Sequence, residues 1–167
     1  SSESIAAFQR SLRTFQLMGN LLPIAQAFRG MAGAALEAGR VADARTWLLQ
    51  AKDHFEEIGA RPGLADCANI LGEVARRSDE LDEAAEWYRE SLRRLSDLGG
   101  GGRALFPRLN LAIVLQIRGR FVEAGEALRG VLEDAVKKGE VAEACCRATW
   151  LPLTIAQRDW AGWDQHR

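Results

Sequence analysis

Three adjacent acidic pairs, Glu56–Glu57, Asp82–Glu83 and Glu133–Asp134, are the residues whose type first suggests acid–base chemistry. Two neighbouring carboxylates divide into a protonated acid and an ionised base only where their surroundings push the pKa values apart. These pairs fall on the polar sides of helical stretches. Several acids also have a base four residues on, as Glu90–Arg94, Glu133–Lys137 and Asp134–Lys138 do. That spacing makes weak ion pairs on a solvated helix face rather than a catalytic pair.

Cys145 and Cys146 are metal-ligand types, but neighbours on a helix point about 100° apart. His54 and His166 are remote from them in sequence, so buried thiols are the better account. The run "GGGGR" at 99–103 invites comparison with a phosphate loop. It follows a helical stretch rather than a strand and lacks the Lys-Ser/Thr that reaches phosphate and metal. It reads as a loose turn, and the most flexible joint of the chain. No nucleophile elbow, H-E-x-x-H or C-x-x-C pattern occurs. No catalytic residue, metal site or cofactor is assigned, and an enzyme is not expected.

The elements that carry these residues are helices in a repeating order. Gly19, Gly59, Gly99 and Gly139 stand forty residues apart, and Gly39, Asp79, Gly119 and Asp159 fall halfway between them. Glycine ends helices in the left-handed conformation, and aspartate at these places is expected to cap the helix that follows. Between the marks, apolar residues recur at helical spacing. Val41, Ala44, Leu48, Ala51 and Phe55 form one stripe; Leu81, Ala84, Ala85, Tyr88, Leu92 and Leu95 form the next. The alternate segments are more apolar, and "ALFPRLNLAIVLQIRG" at 104–119 is nearly hydrophobic all round, as in a helix covered on two sides. Pro23, Pro62 and Pro107 lie at or near first turns, where a missing N–H does no harm. Ala44, Ala84 and Ala124 recur on the second helix, and Ala32, Gly72 and Ala112 on the first, marking close helix crossings. Each forty-residue unit is a helical hairpin that buries its apolar face only by stacking on the next.

Composition agrees with a folded helical chain. The 167 residues are 47 % hydrophobic and 27 % charged, with a net charge of −1. That balance disfavours a nucleic-acid binder, which needs a basic surface. No run of about 20 apolar residues suggests a membrane span, and the start is no signal peptide. Three unpaired cysteines suit a reducing, cytoplasmic setting. The chain opens on Ser1 straight into a helix and ends on "DWAGWDQHR" without a helix stop, so an excised segment of a longer protein is expected.

Leu71, Gly72 and Ala75, followed by Asp79, Leu81, Ala84 and Tyr88, resemble the spaced signature of the tetratricopeptide repeat. Met31, Ala32, Ala35, Gly39, Val41, Ala44 and Leu48 repeat it more weakly, as do Leu111, Ala112, Leu115, Gly119, Phe121, Ala124 and Leu128. The usual unit is about 34 residues, so helices longer by most of a turn are expected here. The resemblance implies an all-α fold, a right-handed α-solenoid of antiparallel helix hairpins. A single array over 1–167 would hold a second helix alone at 1–19 and full units at 20–59, 60–99 and 100–139. The remaining unit, 140–167, is divergent or truncated, since Pro152 and Asp164 replace small residues there.

The same resemblance implies a non-catalytic protein–protein interaction module whose concave face is lined by the first helix of each unit. Its positions select Arg29, Asp66, Asn69, Glu73, Arg76, Arg77 and Gln116 as partner contacts, flanked by Gln26 and Gln157. Their mixed charge suits a peptide or protein. The clamp that some members use for a C-terminal carboxylate is mostly missing, its places holding Arg29, Gly33, Ile70, Phe106 and Asn110. Reversing Arg76 and Arg77 to Glu is expected to abolish binding with helicity intact. Arrays of this style resemble those attached to bacterial signalling and regulatory proteins. The alternatives are a homodimer built through uncapped ends, with Trp150, Trp160 and Trp163 as self-association residues, or a small-ligand sensor. Trp47 and Trp87, one repeat apart, either seal the gap between hairpins or form an aromatic ladder for a partner.

Overall fold

The computed structural model describes residues 2–17, 19–99, 101–129 and 131. The unit expected at 140–167 and the residues Trp150, Gln157, Trp160 and Trp163 lie outside the described residues, as do Cys145 and Cys146.

The helices run in chain order as α1 (Ser2–Leu17), α2 (Leu21–Glu37), α3 (Val41–Glu57), α4 (Arg61–Arg77), α5 (Leu81–Ser96), α6 (Leu105–Ile117) and α7 (Phe121–Leu128). A single 3₁₀ turn, Gly101–Ala104, leads into α6. Part of the glycine run therefore has regular structure, where its composition predicts a loose turn. Among the described residues there is no strand.

Helices α2, α3 and α4 each span 17 residues and are joined by three-residue links, which accounts for the forty-residue period. Each link is built the same way. Gly39 donates its N–H to the Leu36 carbonyl while Arg40 reaches back to Ala35; Gly119 and Arg120 do the same to Gln116 and Leu115. This pair of bonds is the Schellman ending, and it puts the first of the two residues in the left-handed region. Gly39 has φ 74° and Gly119 has φ 71°.

Asp79 occupies the same place with φ 63°, bonding to Arg76 while Glu80 bonds to Ala75. The aspartate thus ends α4 instead of capping α5, contrary to the expectation from its type. Side-chain caps are absent at the starts of α2, α3, α4, α6 and α7.

The chain divides into two compact units, which meet in sequence between Arg94 and Leu95. In the first unit α2 packs on α1, α3 and α4. Its core joins Ala25, Ala32, Ala35 and Leu36 of α2 to Ala44, Leu48, Ala51 and Phe55 of α3 and to Leu64, Cys67, Leu71 and Val74 of α4. Trp47 and Trp87 pack half-buried against that core, so their first role is to close it. Helices α4 and α5 are antiparallel: Ser91 donates its hydroxyl to the Ala65 carbonyl at 2.8 Å, and Tyr88 lies over Gly72 further along α4.

The small residues mark the tight crossings. Ala32, Ala44, Ala84, Ala112 and Ala124 are all fully buried. At Gly72 an added Cβ would lie 2.5 Å from the buried Tyr88 ring, and at Gly63 it would lie 2.5 Å from Phe55. Glycine is needed at these two positions because the facing aromatic ring fills the space of its missing side chain.

In the second unit α6 buries Leu105, Pro107, Leu109, Leu111, Ala112, Val114 and Leu115, and it packs on α7 through Ala124 and Leu128. It is not covered all round, however. Phe106 and Ile117 are exposed.

Candidate functional site

The first helices carry the polar residues that the repeat pattern selects. Arg29 on α2 and Asp66, Asn69, Glu73 and Arg76 on α4 are half-buried, and Arg77 is exposed at the end of α4. Helix α2 lies against α4, so these residues share one region of the first unit. Gln116, half-buried on α6, belongs to the second unit and is described there alone.

Glu73 is the centre of a network. Its carboxylate accepts from Arg76 Nε at 2.9 Å and Nη2 at 2.8 Å, and from Arg77 Nε at 2.7 Å. The Tyr88 hydroxyl approaches at 3.5 Å. Burial alone would push the Glu73 pKa up, but the hydrogen bonds and charges of Arg77 and Arg76 outweigh it and hold the carboxyl below its ordinary value. The buried Tyr88 phenol is pushed up, first by desolvation and then by the Glu73 charge. Arg77 also donates Nη1 to the Leu36 carbonyl at 2.6 Å, tying the end of α4 to the end of α2. Arg76 and Arg77 therefore serve the repeat array itself, in addition to any partner.

Arg29 differs from them: it forms no ion pair among the described residues. Its charge lowers the pKa of Cys67, but burial is the larger effect and pushes that thiol up to about 12. A thiol in that state supplies no thiolate nucleophile at neutral pH.

The second helices carry a shallow groove of about 360 Å³ lined by Glu83, Glu86, Trp87, Glu90 and Arg93 on α5. Each of its carboxylates is bridged. Glu83 accepts from Trp87 Nε1 at 3.0 Å and from Arg45 of α3 at 3.3 Å, Glu86 pairs with Arg89, and Glu90 pairs with Arg93 and Arg94. Arg45 also pairs with Glu80, which fastens α3 to the start of α5. The Arg93 hydrogen bond leads the effects that hold Glu90 below its ordinary pKa. A general acid needs the opposite shift. Among the described residues no three His, Cys, Asp or Glu side chains converge as metal ligands.

The geometry is that of helical hairpins stacked through small-residue crossings, with polar side chains arrayed on the first helices. Residues 23–97 match the tetratricopeptide repeat family. Over these residues the chain is similar to tetratricopeptide repeats. The repeats of this family mediate protein–protein interaction, and the fold is typically a non-catalytic scaffold.

Solved structures agree on the fold. BtubC (BKLC) from P. vanneervenii is similar with a TM-score of 0.79 at 17 % identity, over 95 % of this chain and 67 % of that one. A variant of the nearly identical TPR-like repeats of a candidate kinesin light chain from Podosopora anserina gives 0.76 at 13 % identity over 99 % and 82 %. A second structure of those repeats gives 0.67 at 14 % identity over 97 % and 90 %. No curated protein sequence matches the chain. Among the described residues no helix is long and apolar enough to cross a membrane.

Phe106 and Ile117 are the surface residues that sequence reasoning misses. In the sequence Phe106 stands only as one place of an incomplete carboxylate clamp, and Ile117 only as part of an all-apolar helix. The available signal is the forty-residue register, which aligns Phe106 with Asp66 and Ile117 with Arg77.

Proposed function

We propose that this array is a protein-interaction module, part of a larger bacterial signalling or regulatory protein of the cytoplasm, that takes a peptide or protein segment on the face of its first helices. The observation that carries this reading is the half-buried polar surface of α2 and α4, where Arg29 stands without an ion pair among the described residues beside the pinned Glu73–Arg76–Arg77 network. A half-buried cation, already restricted before binding, pays little ordering entropy when a partner carboxylate or carbonyl arrives. Asn69, one repeat on from Arg29, adds an amide in the equivalent position.

Arg29→Glu is the informative substitution, because reversing Arg76 and Arg77 would also break the bonds that hold α4 to α2. Immobilised wild-type and Arg29→Glu chains, incubated in parallel with lysate of the source cell, test the reading. Proteins retained by the wild type and lost from the variant, with identical circular dichroism, are expected. The same retained set on both chains would remove this face from consideration.

A further inference from the structure

Trp47 and Trp87 stand forty residues apart, at equivalent places of α3 and α5, yet the two rings keep different company. The guanidinium carbon of Arg40 lies 5.7 Å from the centre of the Trp47 ring, and Asp43 holds that side chain by accepting from its Nε at 2.6 Å. Arg40, Asp43 and Trp47 thus form a set in which a carboxylate fixes a cation on an indole face, where the ring quadrupole attracts it. The forty-residue register carries Asp43 to Glu83 and Trp47 to Trp87, but it carries Arg40 to Glu80. The set on α5 keeps the ring and the carboxylate and has an acid in place of the cation. Among the described residues no guanidinium or ammonium lies over the Trp87 ring.

The surroundings of Trp87 are built to receive one. The groove of about 360 Å³ has Trp87 and Glu83 in its wall, and it lies wholly within the first compact unit. Trp87 Nε1 and Arg45 Nη1 both donate to Oε1 of Glu83, at 3.0 Å and 3.3 Å. Oε2 accepts no hydrogen bond among the described residues, although each carboxylate oxygen has two lone pairs to offer. The indole is half-buried against the core and pinned through Nε1, so little ordering is left for binding to impose. Net charge does not choose the guest here, because Glu86 and Glu90 are already bridged by arginines of α5. The ring and the open oxygen do.

We infer that the Trp87 groove seats an arginine side chain of a partner protein, stacked on the indole and donating to Glu83 Oε2. The partner then supplies from outside the cation that Arg40 supplies from within at Trp47. Arginine fits better than lysine, because the planar guanidinium both stacks on an aromatic face and aligns its N–H groups with a carboxylate. This contact lies on a second helix and stands independently of the first-helix reading.

The test follows the indole N–H resonances of the nitrogen-15-labelled full chain during titration with the blocked pentapeptide Gly-Gly-Arg-Gly-Gly. Versions with lysine and with citrulline, which keeps the shape of arginine without its charge, are the other probes. Trp87 and Trp47 are assigned from the peaks lost in Trp87→Phe and Trp47→Phe. A saturable shift of the Trp87 peak by the arginine peptide is expected, weaker with lysine and absent with citrulline, while the Trp47 peak stays in place. Glu83→Gln should weaken arginine binding about tenfold, as loss of a charge-assisted hydrogen bond does. Arg40→Ala, an exposed substitution, should vacate the Trp47 face and make that peak respond as well. An unmoved Trp87 peak, an equal response to citrulline, or undiminished binding in Glu83→Gln would overturn the inference. A Trp47 peak that stays silent in Arg40→Ala would overturn the correspondence on which the seat is built.

Discussion

At the scale of single residues, two side chains take roles that their types do not announce. Asp79 takes the left-handed conformation that its counterparts Gly39 and Gly119 adopt without a Cβ penalty. Asp79→Gly should therefore stabilise the fold by about 0.5–1 kcal/mol, the αL penalty less the extra backbone entropy of glycine. A guanidinium midpoint that rises with an unchanged slope would verify this, and a fall would contradict it. In the sequence Asp79 points to the following helix, because aspartate favours an N-cap more strongly than the left-handed turn. Only the backbone bonds from Asp79 to Arg76 and from Glu80 to Ala75 decide between these places.

Glu73 is the second case. Its pKa is lowered in the folded chain, so its contribution to stability is fully present above the unfolded value of about 4.3 and is lost as pH falls through the folded value. Glu73→Gln should cost about 1–3 kcal/mol at neutral pH, leaving Arg76 and Arg77 with weaker acceptors. It should also flatten the acid limb of a stability–pH profile; a profile parallel to the wild type would contradict the role given to the network. The i+3 and i+4 spacing of Glu73, Arg76 and Arg77 is readable in the sequence. The bond from Arg77 to the Leu36 carbonyl is not, since it spans 41 residues and needs the stacked repeats.

At the scale of helices, close crossings decide the packing. Gly72→Ala gains up to about 1 kcal/mol of helix propensity. It also drives a Cβ to within 2.5 Å of the buried Tyr88 ring. Overpacking of that kind costs about 1–3 kcal/mol, so a net loss of about 1 kcal/mol is expected. Ala84→Leu, at a fully buried position of α5, should cost about 1–3 kcal/mol without offset. Melting temperatures at or above that of the wild type for both variants would refute the crossings described. The recurrence of Ala32, Gly72 and Ala112 makes these positions legible, because a small residue kept at a fixed register has few explanations other than contact. The exposed side of α6 is not legible. A helix that is apolar all round gives no contrast between its faces, and sequence alone cannot tell a covered apolar residue from an uncovered one.

At the scale of the molecule, the hairpins of the first unit are stabilised by stacking on their neighbours. The core of the first unit shows it, drawing on α2, α3 and α4 together. The period, the helix class and the hairpin pairing are all present in the placing of glycines and small residues. Function is less so, because a repeat scaffold takes its specificity from a few surface side chains that packing leaves unconstrained. In the proposed reading Arg29 is the leading contact because Arg76 and Arg77 are engaged with Glu73.

If partners arrive on the first helices, photo-crosslinking should capture them there whatever their identity. A photoreactive amino acid is placed in turn at Gln26, exposed on α2, and at Gln50, exposed on α3. Irradiation in the source cell should give discrete high-mass adducts from position 26 and none from position 50. Adducts from position 50 alone, or equally from both, would contradict the assignment of the binding face.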